Sequence, residues 1–188
     1  MKSYTSEKKL YGVASDVAHT ALCVSLIAVC SWISVPLAVP FTMQTFAVFL
    51  TALMLGGKRG AAAVCVYILL GALGLPVFSG FGGGAGVLLG ATGGYIVGFI
   101  PAVLISGFAA EKSGHRTLWT ALGMVAGLLV CYAFGTAWFM QVYTRANGPV
   151  ALTSVLGWCV FPFILPDALK IALAILVSRR AETAIRHG

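Results

Sequence analysis

Asp167 and Lys170 stand inside the apolar run FPFILPDALKIALAIL, residues 161–176. Three residues apart, they share nearly one face of a helix, where a carboxylate and an ammonium can pair. A lone charge near the middle of a membrane costs about 2.5–3.5 kcal/mol on insertion scales. Pairing offsets only part of that, and alanines at both positions would carry no such cost. A helix-pinning ion pair is the plain interpretation. The sharper one, which we favour, is a polar ligand site in the interior of a helix bundle. Asp167 would accept N–H groups, and Lys170 would donate to a carbonyl or carboxylate. Pro166 cannot donate to the carbonyl of Pro162, so the sequence predicts a kink beside the pair. A helix restarting there would place Asp167 in a positive first turn.

The elements that position the pair must lie in a membrane. Of the 188 residues, 60 % are hydrophobic and 9 % charged, whereas soluble domains carry about 25 % charge. Six apolar spans are predicted, at about 17–35, 43–57, 60–77, 87–110, 117–139 and 151–178, against the roughly 20 residues needed to cross hydrocarbon; the second and third are short. The fold expected is all-α: one domain over residues 1–188, a compact bundle of six transmembrane helices. Basic residues precede the first span, as in a signal peptide. Its length, and Glu7 and Asp16 in the leader, favour an uncleaved helix. The second and third spans meet at Gly56, Gly57, Lys58, Arg59 and Gly60, which predicts a tight helical hairpin.

The net charge of +7 is distributed in short clusters between spans, which argues for anionic lipid rather than nucleic acid. With six spans, Lys2, Lys8, Lys9, Lys58, Arg59, Lys112, Arg116, Arg179, Arg180 and Arg186 fall on one side and Arg145 alone on the other. That asymmetry places both termini in the cytoplasm. Gly90, Gly94 and Gly98, and then Gly123 and Gly127, recur every fourth residue and predict close helix packing. Cys23, Cys30, Cys65, Cys131 and Cys159 lie in apolar runs without paired spacing, and His19, His115 and His187 are isolated, so no metal site is expected.

Three segments are expected at the outer surface. SVPLAVPFTMQTF, residues 34–46, is broken by Pro36 and Pro40 and offers Thr42, Gln44 and Thr45. PVFSGFGGGAG, residues 76–86, is a glycine-rich loop with Phe78 and Phe81. It does not fit GxGxxG, and the chain has no GxxxxGK[ST], so a nucleotide site is excluded on motif grounds. The third is a loop over 140–149 with Gln141, Tyr143, Arg145 and Asn147. No Ser-His-Asp set or HExxH can be assembled, and no enzyme is expected. With five acidic residues, a carboxylate relay for ion coupling is poorly provided for.

PFTMQT, the KRG turn, GLPVF with its glycine loop, TGGY and LPDALK occur in that order. Together they resemble the BioY family, the biotin-specific S components of energy-coupling-factor (ECF) transporters. Ala91 departs from the family, which often has proline before TGGY. The resemblance implies high-affinity capture of biotin at a bacterial cell (inner) membrane. It implies a membrane coupling protein and two cytosolic ATPases as partners, and no cofactor. The alternative is a self-sufficient secondary transporter for biotin or another small vitamin. Asp167 and Lys170 would meet the ureido group, with Lys170 on the valeryl carboxylate as the opposite pose. Phe41, Phe78 and Tyr95 would wall the apolar part, and Thr42 and Gln44 would bond from a lid loop. The valeryl carboxylate would fall to backbone N–H groups of Gly82 to Gly84 (Gly83 between them) or to Arg145. Ala14, Ala18 and Ala21, with Ser25, form the small-residue face on which such subunits dock the coupling protein.

Overall fold

The computed structural model describes the backbone of residues 2–187 and the side chains of 14–181 and 183. Lys2, Glu7, Lys8, Lys9, Arg186 and His187 have side chains outside the described residues. The helices are α1 (Lys2–Trp32), α2 (Gln44–Ala72), α3 (Ala85–Leu89), α4 (Gly93–Lys112), α5 (Thr117–Asn147), α6 (Leu152–Cys159) and α7 (Phe161–His187). Between α1 and α2, β1 (Ser34–Val35) and β2 (Phe41–Thr42) pair antiparallel. Pro36 and Pro40 deny this segment a helix, and the small ribbon satisfies part of its backbone instead.

Among the described residues, five helical segments are long and apolar enough to cross a membrane, the fifth running through α6 and α7. They expose Leu22, Leu69, Leu129 and Leu165 and bury polar groups such as Ser31, Thr51, Ser106 and Asp167. That inversion of a soluble surface is the mark of a multi-pass membrane protein.

The second and third predicted spans form one continuous assignment, α2, but not one straight rod. Gly56 has φ 78° and ψ −176°. Gln44 Nε2 donates to Tyr67 Oη at 2.7 Å, although 23 residues separate them. A straight helix would hold them about 35 Å apart at 1.5 Å per residue. Residues 44–55 and 57–72 are therefore antiparallel arms. Gly56 supplies the positive φ that other residues avoid. Glu111 of α4 accepts the freed N–H of Gly57 at 3.0 Å, capping the second arm with a negative charge.

α4 lies between this hairpin and α5. Gly98 packs against Cys131, Gly94 against Trp138, Gly123 against Ala109, and Gly127 against Ala102 and Ser106. Added side chains at these positions would force the helices apart, so the glycine spacing acts in packing. Gly90 is an exception: it caps α3, in the break before α4.

Two boundaries differ from expectation. α5 continues to Asn147, where Gly148 (φ 89°) ends it, so 140–147 is helix and not loop. The break in the last span falls at Val160 (φ −127°, ψ −57°), and Pro166 lies within α7. Pro162 explains the break, because it lacks the N–H that would bond the carbonyl of Trp158. Asp167 accordingly sits in the second turn of α7 and not in its first.

Candidate functional site

α7 buries Phe163, Asp167, Lys170, Ile171, Ala174 and Ser178, a stripe at helical spacing. Ile164, Leu165, Leu169 and Leu176 cover the opposite face and are exposed. Asp167 and Lys170 thus point into the bundle. They line a cavity that offers about 130 Å³ to the centres of water-sized molecules.

Asp167 is held by three donors, from α2, from α5 and from its own helix. Its Oδ1 accepts from Lys170 Nζ at 2.8 Å and from Thr45 Oγ1 at 3.0 Å. Its Oδ2 accepts from Tyr132 Oη at 2.5 Å. A carboxylate has about four lone-pair sites, so one remains, on Oδ2. The chain itself closes most of the bonding that the sequence suggested a guest would complete. Lys170 is less saturated. Its Nζ gives one bond to Asp167 and lies 4.2 Å from the centroid of the Phe41 ring, a cation–π contact. The ammonium has three donors, which leaves capacity toward the cavity.

Gln44 is fixed in the same way. Its Nε2 donates to Tyr67 Oη, which donates to the Val77 carbonyl at 2.9 Å. Ser31 Oγ donates to the same carbonyl at 2.6 Å. This buried chain ties α1, both arms of α2 and the glycine-rich loop together. It leaves the carboxamide oxygen of Gln44 as that side chain's acceptor for the cavity.

The remaining walls come from the first loop (Val39, Pro40, Thr42), the glycine-rich loop (Phe78, Ser79) and α4 (Tyr95, Ile96, Phe99). Of the residues singled out in the sequence, Thr42, Gln44, Phe78, Tyr95, Asp167 and Lys170 line the cavity, and Phe41 touches Lys170. Gly82, Gly83 and Arg145 do not. The Gly82 N–H bonds Ser79 O at 3.3 Å and the Gly84 N–H bonds Gly71 O at 2.7 Å, so both donors are spent in folding the loop. Gly83 is exposed and packs close to the Leu75 carbonyl. Arg145 is carried outward on the last turn of α5. Gln141, Tyr143 and Asn147 are likewise outside the cavity. Tyr143 instead stacks on Phe139, with ring centroids 5.6 Å apart.

Sequence reasoning missed Tyr132 altogether and named Thr45 only as part of its loop. A tyrosine in the apolar run CYAFGTAW was the available signal for the first. Away from the cavity, Ala14, Ala18, Ala21 and Ser25 are exposed on one side of α1. Ala21 and Ser25 line a groove against the second arm of α2. Among the described residues, no three His, Cys, Asp or Glu side chains gather.

The BioY family model matches residues 2–187. A biotin transporter BioY of Thermotoga maritima is 44 % identical over 159 residues, 84 % of this chain and 90 % of that one. A probable biotin transporter BioY of Pyrococcus horikoshii is 40 % identical over 170 residues, 90 % of this chain and 97 % of that one. The crystal structure of the S-component for biotin from an ECF-type ABC transporter superposes with a TM-score of 0.81. It is 23 % identical and covers 92 % of this chain and 93 % of its own, which establishes a shared fold. A match over nearly the whole sequence, relatives at 44 % and 40 % identity and the ordered motifs from PFTMQT to LPDALK place this chain in the BioY family.

Proposed function

We propose that this chain captures biotin and serves as the substrate-specific subunit of an ECF-type transporter in the cell membrane. The observation that carries the proposal is the buried Asp167–Lys170 pair in a cavity with aromatic walls. Such a pair is poor value as a mere support, since apolar side chains would hold α7 as well. The ureido group brings two N–H donors and a carbonyl. The remaining acceptor site of Asp167 and the carboxamide oxygen of Gln44 take the N–H groups, and Lys170 takes the carbonyl. Phe78, Tyr95 and Phe99 wall the thiophane ring, and the first loop, with Val39, Pro40 and Thr42 on the cavity, is its lid.

The two arms of α2 count as separate crossings, which makes six. Lys58 and Arg59 at the hairpin, Lys112 and Arg116 at the turn from α4 to α5, and Arg179 and Arg180 then share one end of the bundle. Contacts between Gly57 and Glu111, Arg59 and Asp16, and Arg179 and Thr117 support that grouping. By the positive-inside rule this end is cytoplasmic, and both termini with it. The exposed Ala14, Ala18 and Ala21 face docks the membrane coupling protein, and two ATPases supply the energy.

Calorimetric titration of the purified chain with biotin, desthiobiotin and thiamine tests the proposal. Biotin is expected to bind near nanomolar strength, worth about 12 kcal/mol, with desthiobiotin weaker and thiamine silent. A folded protein that gives no heat with biotin, or equal heat with thiamine, would overturn it.

A further inference from the structure

A carboxamide has a donor end and an acceptor end of almost equal size. A buried glutamine therefore shows a cavity whichever end its neighbours leave over. Gln44 is 5 % exposed and lines the cavity that holds Asp167. Its Nε2 lies 2.7 Å from Tyr67 Oη, which in turn lies 2.9 Å from the Val77 carbonyl oxygen. One proton fixes the direction of both bonds. A carbonyl cannot donate, so the Tyr67 hydroxyl proton goes to Val77, and the Tyr67 oxygen is left to accept. Ser31 does not release it. That hydroxyl also has one proton, and it faces two carbonyls, Val77 at 2.6 Å and Ala28 at 2.7 Å. Turned end for end, Gln44 would bring its oxygen against the Tyr67 oxygen. Either two oxygens would then meet with no proton between them, or Tyr67 would abandon Val77.

Tyr67 can impose this because it is itself held fast. It is fully buried, and its ring meets Phe78 edge-on with centroids 5.5 Å apart. Gly71, on the same arm of α2, leaves room for the Phe78 ring where any side chain would collide with it. The other end of Gln44, its oxygen, takes no hydrogen bond among the described residues. It is not enclosed as the hydroxyl oxygens of Thr51 and Thr120 are.

We propose that Tyr67, which does not itself line the cavity, is a positioning residue that locks Gln44 as an acceptor. The site thereby selects an N–H at that corner of its ligand and rejects an oxygen there. This rests on the reading of the cavity as a biotin site, since the ureido ring supplies such an N–H. An oxygen in its place would face the Gln44 oxygen away from water, with no turn of the amide available to relieve it.

The test is calorimetric titration of the full chain in detergent with biotin and with two cyclic carbamates. Each carbamate replaces one ureido N–H by a ring oxygen, which hardly alters the shape. Wild type is expected to bind both at least about 100-fold more weakly than biotin, one for its lost bond to Asp167 and the other for its clash with Gln44. Tyr67→Phe keeps the ring on Phe78 and frees the amide to turn. Biotin should bind this variant about fivefold more weakly. The penalty for one carbamate should shrink to about tenfold or less, while that for the other stays. A tyrosine that serves packing alone would weaken all three ligands alike. Unchanged ratios in a folded Tyr67→Phe, or carbamates that bind wild type as tightly as biotin, would overturn the proposal. Gln44→Met carries the test if Tyr67→Phe is not recovered monodisperse. With the acceptor gone, one penalty should fall to about threefold, and retention of both would overturn the proposal. A wild-type chain that ignores biotin would instead overturn the reading of the cavity on which the lock depends.

Discussion

Asp167–Lys170 and Asp16–Arg59 both close at 2.8 Å. In the first pair the aspartate and the cation are 2 % and 5 % exposed; in the second they are 51 % and 64 % exposed. Water screens the second pair, and holding two mobile side chains together cancels much of what remains. The first pair has lost its water and must be compensated from within the protein. Thr45, Tyr132 and Phe41 supply that compensation from α2, α5 and the first loop. Equal length thus hides unequal meaning. An exposed pair is a surface ornament of the α1–α2 contact, while a buried pair with donors recruited from distant segments is a constructed site.

The largest effect expected from this contrast is that of Asp167→Asn. The substitution keeps the shape and strands the Lys170 ammonium without a counter-charge, which costs about 3–5 kcal/mol. Biotin affinity by calorimetry should fall at least about 100-fold, equivalent to about 2.7 kcal/mol, and the thermal midpoint should drop. Adding Lys170→Met removes the stranded charge. The double variant should regain most of the lost midpoint and none of the affinity. Recovery of both would mean that the pair serves stability alone.

Smaller effects are expected from the donors. Among the described residues Tyr132 gives Oδ2 its one hydrogen bond, which Tyr132→Phe deletes, and a hydrogen bond to a charged group is worth about 1.5–3 kcal/mol. Affinity should fall about 10- to 100-fold. Thr45→Val deletes the longer bond to Oδ1, which keeps Lys170, and should cost about fivefold. The order Tyr132 above Thr45 sharpens the comparison. The reverse order would place the ligand against the first turn of α2 and away from α5.

How much of this was legible beforehand follows from the range of each signal. A charge in an apolar run is visible at a glance, and so is its spacing to Lys170. The hairpin at Gly56 and Gly57 was legible because glycine and lysine interrupt a hydrophobic stretch. The helix-packing glycines announced themselves by period. Tyr132 did not, because nothing local distinguishes a tyrosine that meets a carboxylate 35 residues away from one that fills a core. Pro166 is the proline beside the charged pair and draws the expectation of a kink, but Pro162 removes its bond one turn earlier and the helix breaks there, at Val160. Gly82 to Gly84 look free in sequence, but their N–H groups at 82 and 84 are consumed by the fold of their own loop.

Asp16→Asn is the smallest change and the one that tests the other half of the contrast. It removes a charge at the same 2.8 Å separation as the cavity pair, so a reasoning based on distance alone would expect comparable damage. Screening predicts otherwise: about 0–1 kcal/mol, or a midpoint shift of no more than about 4 °C for a chain of this size. Biotin affinity should be unchanged, because Asp16 lies on α1 outside the cavity. The same small shift should shrink further in high salt, where exposed charges are screened within a few ångströms. A loss as large as that of Asp167→Asn would show that the contact between α1 and the second arm of α2 depends on this charge, and that exposure is a poor guide to what an ion pair contributes in this bundle.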